Sequence, residues 1–150
     1  MARVPAGVVV VAATTGPGRF RGMTLTSFAS ASLDPPLVVA CVDHLAQTRD
    51  AVEESGRFAA SVLSDRQEFL AERFAGRAPL VEASWGEVPH VIGASGLPIL
   101  RGCVAWFECD LQSLVPAGDH DLAVGLVTAA GTGSGDPAVH WHRAFWRLTR

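Results

Sequence analysis

Between Gly22 and Pro36 the chain reads GMTLTSFASASLDPP, and the short hydroxyls Thr24, Thr26, Ser30 and Ser32 recur there at even spacing. In a strand, alternate side chains share a face. These four would therefore lie together, interrupted by Phe28, with Met23, Leu25, Ser27, Ala29, Ala31 and Leu33 opposite. A packing strand normally brings Val or Ile, whereas small hydroxyls leave backbone and O–H groups reachable by a flat polar ring. The same alternation describes a half-exposed edge strand whose hydroxyl face is simply wet.

A second candidate follows the apolar run Leu37 to Val42, in the loop Asp43-His44-Leu45-Ala46-Gln47-Thr48. Thr48 has the chemistry of an N-cap, which predicts a helix from Arg49 to Ser55 closed by Gly56. Backbone N–H groups and the helix dipole at such an entry favour an anion. Capping alone also explains Thr48, and solvation alone explains His44.

The remaining candidates are weaker. His140 and His142 stand two apart on what reads as a closing strand, but no Asp or Glu at suitable spacing completes a metal set. Their neighbours Trp141, Phe145 and Trp146 suit a pocket wall or an interface, and no metal is expected. Gly131-Thr132-Gly133-Ser134-Gly135 lacks the strand and helix that give a dinucleotide loop its role, so it reads as a turn. No G-x-S-x-G elbow is present.

The elements that must position these residues follow from pattern. A chain of 150 residues, 49% hydrophobic and 18% charged, suits one globular domain and argues against a disordered interaction tail. With a net charge of −3 and no basic stripe, nucleic acid is not an expected partner. Cys41, Cys103 and Cys109 match no zinc spacing and read as reduced, buried thiols of a cytoplasmic protein. The valine run within Ala6 to Ala13 reads as a buried strand entering a Gly-Pro-Gly hairpin rather than as a signal-peptide core. No apolar run has the length to span a bilayer.

Strands are predicted at Val8 to Thr14, along the hydroxyl stretch, at Leu37 to Val42 (covered on both faces), and at Arg57 to Leu63. Further strands are predicted at Gly102 to Leu111, from Gly118-Asp119-His120 to about Ala129, and at Ala138 to Leu148. Ser64 and Gln67 form a capping box before a helix burying Phe69, Leu70 and Phe74 and ending at Gly76. The twenty-odd residues after Gly76, through Pro79, Gly86, Pro89, Gly93, Gly96 and Pro98, hold little periodicity and read as a long surface excursion. About seven strands, two short helices and no alternating βαβ pattern predict a mainly β fold, a largely antiparallel, Greek-key-like barrel with helical inserts.

In the family's order along the chain, GVVVVAATT, GMTLTSFASASLDPPLVVACVDHLAQT, SGRFAASVL, GCVAWFECD, GDHDLAVGLV and PAVHWHRAFWRL resemble the flavin reductase family. These are split-barrel FMN-binding proteins that supply reduced flavin to two-component monooxygenases. The resemblance implies a homodimeric split β-barrel with FMN, or FAD, as flavin, NADH or NADPH as hydride donor, and a separate monooxygenase as partner. It implies that Met23, Thr24, Leu25, Thr26 and Ser27 contact the isoalloxazine ring and that Ser30 and Ser32 continue that wall. Cys41, Val42, Asp43, His44, Gln47 and Thr48 would hold the ribityl chain and phosphate. The G-D-H histidine, His120, would position nicotinamide and flavin, with Arg143 and Phe145 near the ligand. Two departures stand out: Ser61 replaces a common Asn, and the phosphate loop lacks its usual basic residue, leaving His44, Gln47, Arg49 and the helix dipole to balance charge. A non-catalytic barrel holding flavin or haem is the alternative.

Overall fold

The computed structural model describes residues 1–76 and 85–149. The strands are β1 (Ala6–Gly7), β2 (Val9–Gly16), β3 (Arg19–Leu25), β4 (Phe28–Leu33), β5 (Pro36–Asp43), β6 (Arg57–Val62), β7 (His90–Ile92), β8 (Pro98–Leu100), β9 (Ala105–Ala117), β10 (His120–Thr132), β11 (Val139–Trp141) and β12 (Ala144–Trp146). Helix α1 (Gln47–Ser55) lies between β5 and β6, and α2 (Glu68–Phe74) follows β6. The fold is mainly β. Seven strands form one sheet in the order β3-β2-β6-β9-β10-β5-β4, and every ladder among the described residues is antiparallel.

That order makes β3 and β4, consecutive in the chain, the two edges of the sheet. Laid flat, seven strands would set their edges about 29 Å apart, whereas the Thr26-Ser27 link spans at most roughly 11 Å. The sheet must therefore curl until its edges approach. Register shifts between Val124 and Gly125 and between Val127 and Ala129 supply curvature, since bulges bend and twist a strand. A Cβ on Gly125 would meet Phe58 Cζ at 2.5 Å, so glycine lets β10 close over the buried Phe58 ring.

The valine run is buried on both faces because two cores share β2. Val9, Val11 and Ala13 pack inside the curl with Leu25, Val38, Ala40, Val42, Phe58 and Ala123, plugged by Ala51 and Val52 of α1. Val8, Val10 and Ala12 pack outside it with Leu63, Ala71, Phe74, Trp85 and Leu100. Each fully buried valine contributes roughly 1.5 to 3 kcal/mol of transfer free energy.

Several local expectations change. The hydroxyl stretch is two strands, because Thr26 and Ser27 leave the ladder to turn the corner between the sheet's edges. On β5, Val38, Ala40 and Val42 are buried while Leu37, Val39 and Cys41 are half-buried, so only one face is sealed. Ala46, extended at φ −77° and ψ 129°, is the N-cap of α1, and Thr48 is buried inside its first turn. Gly56 closes that helix at φ 69°, as predicted. Before α2, Gln67 Oε1 accepts from the Ser64 N–H at 3.0 Å, half of a capping box, but Phe69 is 60% exposed. Residues 77–84 of the predicted excursion lie outside the described residues. The rest buries Trp85, Val88, Leu97, Ile99 and Leu100 around the β7–β8 hairpin. The closing strand is a hairpin, turned by His142 at φ 54° and Arg143 at φ 63°.

Candidate functional site

As a sheet edge, β3 has backbone groups on one side that pair with no strand among the described residues. A cleft of about 1060 Å³ runs along this edge. Its first wall is β3 itself, from Arg19 to Thr24. Its second wall is Asp43, Leu45, Ala46, Gln47 and Thr48, the entry to α1. Phe74, Ala75 and Gly76 at the end of α2, with Trp85 and Gly86, complete it.

The aromatic wall is built by close approach. Trp85 lies 4.7 Å from Phe74 between ring centroids and 6.3 Å from Phe20. A Cβ on Gly22 would meet Trp85 Cζ2 at 2.8 Å and Phe74 Cδ1 at 2.9 Å, so the strand can pass beneath these rings only as glycine. Trp85 Nε1 is buried and has no hydrogen-bond partner among the described residues. An orphaned indole N–H is a costly group that a ligand acceptor would satisfy.

The α1 wall presents backbone donors. Ala46 offers no side-chain oxygen to the N–H groups of the first turn. Asp43 fixes the loop instead, its Oδ1 accepting from the Leu45 N–H at 2.8 Å and its carbonyl from the Ala46 N–H at 3.1 Å. Beneath this loop lies Asp121, 3% exposed. Its Oδ1 bonds His44 Nε2 at 2.9 Å and its Oδ2 accepts from Arg49 Nε at 2.8 Å. The His44 bond, and then Arg49, hold the Asp121 carboxyl below the usual carboxylate range. Arg49 Nη1 also reaches Asp50 at 3.2 Å and Glu53 at 2.5 Å. These carboxylates, Asp121 first, raise the guanidinium pKa further. Arg49 is thus spent inside the protein, and the expectation that it helps balance a ligand's charge does not hold.

The structure gathers Met23, Thr24, Asp43, Gln47 and Thr48 in the cleft. Thr24, Leu25, Thr26 and Phe145 line an adjoining pocket of about 160 Å³, with His140. The other predicted site residues lie elsewhere. Ser27 Oγ donates to the Cys41 carbonyl at 3.3 Å, at the corner between edges. Ser30 and Ser32 sit on β4 and line neither space. Val42 is fully buried in the inner core, and Cys41 is half-buried beside it. His44 faces Asp121, and Arg143 is exposed in the last turn. His120, opposite Asp43 in the β10–β5 ladder, bonds Asp119 Oδ1 through Nδ1 at 2.7 Å. Sequence reasoning missed Arg19, Phe20, Arg21 and Trp85 as cleft residues. Strand alternation ahead of Gly22 could have flagged the arginines, but nothing local could have flagged Trp85.

The flavin reductase like domain pattern matches residues 1–149. The chain belongs to the flavin reductase like domain family. Within that family it is 39% identical over 150 residues to the reductase component of 4-hydroxyphenylacetate 3-monooxygenase of Thermus thermophilus, covering 99% of this chain and 92% of the relative. It is 40% identical over 146 residues to the FMN reductase (NADH) SmoA of Agrobacterium fabrum, covering 96% and 80%. Some relatives are longer: the chain spans 39% of a probable flavin reductase of Rhizobium meliloti, at 40% identity over 123 residues and 82% of this chain. The solved structure of flavin reductase PheA2 superposes with a TM-score of 0.92 at 29% identity, covering all of this chain and 94% of that one.

Proposed function

We propose that this protein is an NAD(P)H-dependent flavin reductase, using FMN or FAD, that passes reduced flavin to a separate monooxygenase. The observation that carries the reading is the meeting of the open β3 edge with the entry to α1 in one cleft. The edge offers a row of backbone N–H and C=O groups to a flat heteroaromatic ring. The first turn of α1, uncapped by any side chain, offers N–H groups and the positive end of a dipole to its phosphate. Trp85 Nε1 supplies a donor that is unpaired among the described residues. These groups fit a flavin.

Bound flavin and nicotinamide supply the hydride chemistry between themselves. This chain's residues do the positioning. Backbone from Met23 to Thr26 fixes the plane of the ring, Gln47 and Thr48 anchor the phosphate end, and Phe145 with His140 closes the adjoining pocket where a second ring can stack. Donors held in place by secondary structure need no reorganisation as charge develops on the ring. The reading includes a split barrel: the curled sheet brings its edges together at Thr26-Ser27, and a second copy would complete the wall. The half-buried β5 face and the free thiols of Cys41, Cys103 and Cys109 suit a homodimer in the reducing cytoplasm.

Purified protein mixed with NADH or NADPH and FMN or FAD is expected to oxidise the nicotinamide well above the protein-free rate. A rate equal to that control removes the proposal. Flavin that stays bound through gel filtration without any turnover replaces it with a non-catalytic binder.

A further inference from the structure

The cleft is large, and its charge is lopsided. About 1060 Å³ lies just above the range of roughly 300 to 1,000 Å³ for small-molecule sites. All 12 of the chain's Lys and Arg residues are arginine. Among the described residues, only Arg19 and Arg21 line this cleft as cations. Both are exposed, and neither guanidinium has a partner among the described residues. Across the cleft the balance is reversed. Arg49 is committed to Asp121, Asp50 and Glu53, and His44 to Asp121, so the α1 wall has backbone donors but no free side-chain cation.

We propose that Arg19 and Arg21 form a second anion-binding position of the cleft, one that takes the distal phosphate of a dinucleotide. This rests on the flavin reductase reading and adds to it a basis for choosing between mononucleotide and dinucleotide ligands. Two residues apart on a strand, the two side chains leave the same face roughly 7 Å apart. That spacing lets two planar forks grip one pyrophosphate from neighbouring oxygens. Their supporting arm is already fixed. Thr14 Oγ1 donates to the Gly16 carbonyl at 2.7 Å, lies 3.0 Å from the Arg19 carbonyl, and accepts from the Gly16 N–H at 3.1 Å. An arm held this way loses little freedom on binding. The α1 entry then holds the phosphate nearest the flavin ring, and the β3 arginines hold the one beyond it. Either the flavin dinucleotide or the nicotinamide dinucleotide can present that second phosphate.

The test is the double variant Arg19→Gln/Arg21→Gln, with Arg66→Gln, exposed and outside the cleft, as a control for net charge. Flavin-fluorescence quenching gives Kd for FMN and FAD, calorimetry gives Kd for NAD+, and steady-state rates give KM for each. The double variant is expected to weaken FAD, NAD+ or both by at least about tenfold, the scale of losing a charge-assisted contact, with FMN within twofold and Arg66→Gln neutral. Loss in the FAD arm alone identifies the flavin dinucleotide as the source, and loss in the NAD+ arm alone the nicotinamide dinucleotide. All three ligands staying within twofold, or FMN weakening as much as the dinucleotides, overturns the inference. Wild type that oxidises NADH while the variant binds unchanged defeats this inference alone. Wild type with no turnover defeats the flavin reductase reading, and the binding arms still decide the arginines. If the double variant fails to fold, the single variants at these exposed positions carry the same comparison.

Discussion

The Thr24 hydroxyl donates to the Ala71 carbonyl at 2.6 Å, tying edge strand β3 to α2 across 47 residues of sequence. Ala71 O also accepts from the Ala75 N–H at 3.1 Å, so the carbonyl stays paired when Thr24 is changed. Thr24→Val should therefore cost only the net worth of one hydrogen bond, about 0.5 to 1.5 kcal/mol, read from the urea midpoint. Thr24→Ser should recover most of it. A Thr24→Val variant as stable as wild type, with the loss confined to Thr24→Ser, would show that the methyl group matters and the bond does not.

Asp121 should leave a signature in acid. Its folded carboxyl titrates below the usual range, chiefly through the His44 bond and then Arg49. A depressed value means that the stabilisation is fully present above the unfolded pKa of about 3.9 and is lost as pH falls through the folded value. Asp121→Asn should be less stable than wild type at pH 7, and the gap should narrow below about pH 4. Urea unfolding at both pH values checks this, and a gap independent of pH would contradict it.

Gly22→Ala places a methyl group within 3 Å of Trp85 and Phe74. Overpacking of that kind costs about 1 to 3 kcal/mol. It should also shift the tryptophan emission and weaken flavin, because the displaced rings line the cleft. Gly7→Ala meets nothing within 4 Å and should stay within about 0.5 kcal/mol of wild type. Similar losses at both positions would show that crowding against the Trp85 and Phe74 rings is not the cause, since Gly→Ala by itself lowers the unfolded chain's entropy.

The thiols should separate by burial. Burial, with the neighbouring charges of Asp110 and Glu108, pushes the Cys109 thiol up to about 12. Burial also raises Cys103. Native protein treated with a thiol reagent at pH 8 should modify at most Cys41, which is half-buried, and all three cysteines once unfolded. Rapid native labelling of Cys109, read by mass spectrometry, would show that the inner core opens readily.

Much of the architecture was legible because it is written in local chemistry. The valines of β2 and the αL position of Gly56 both follow from neighbouring residues. The corner at Thr26-Ser27 was not, since either residue fits a strand equally well and only the meeting of the sheet's edges breaks it. The His142-Arg143 turn was hidden because positive φ is rare outside glycine. In the site, the β3 edge and the α1 entry were readable from hydroxyl spacing and from the polar loop. The spending of Arg49 was not, because Asp121 lies 72 residues away. Trp85 reaches Gly22 only through tertiary packing.

The strand order also bears on the timetable of synthesis. Hairpins β2–β3 and β4–β5 emerge early, yet they belong to opposite flanks of the sheet, and the strands between them come later in the chain. Until β10 leaves the ribosome and slots between β9 and β5, the first two hairpins have no shared neighbour to join them. Such long-range pairing makes folding slow and late. A polypeptide released before residue 120 would therefore pair β3-β2-β6-β9 but leave the β4–β5 hairpin without a neighbour, ready prey for proteases and chaperones.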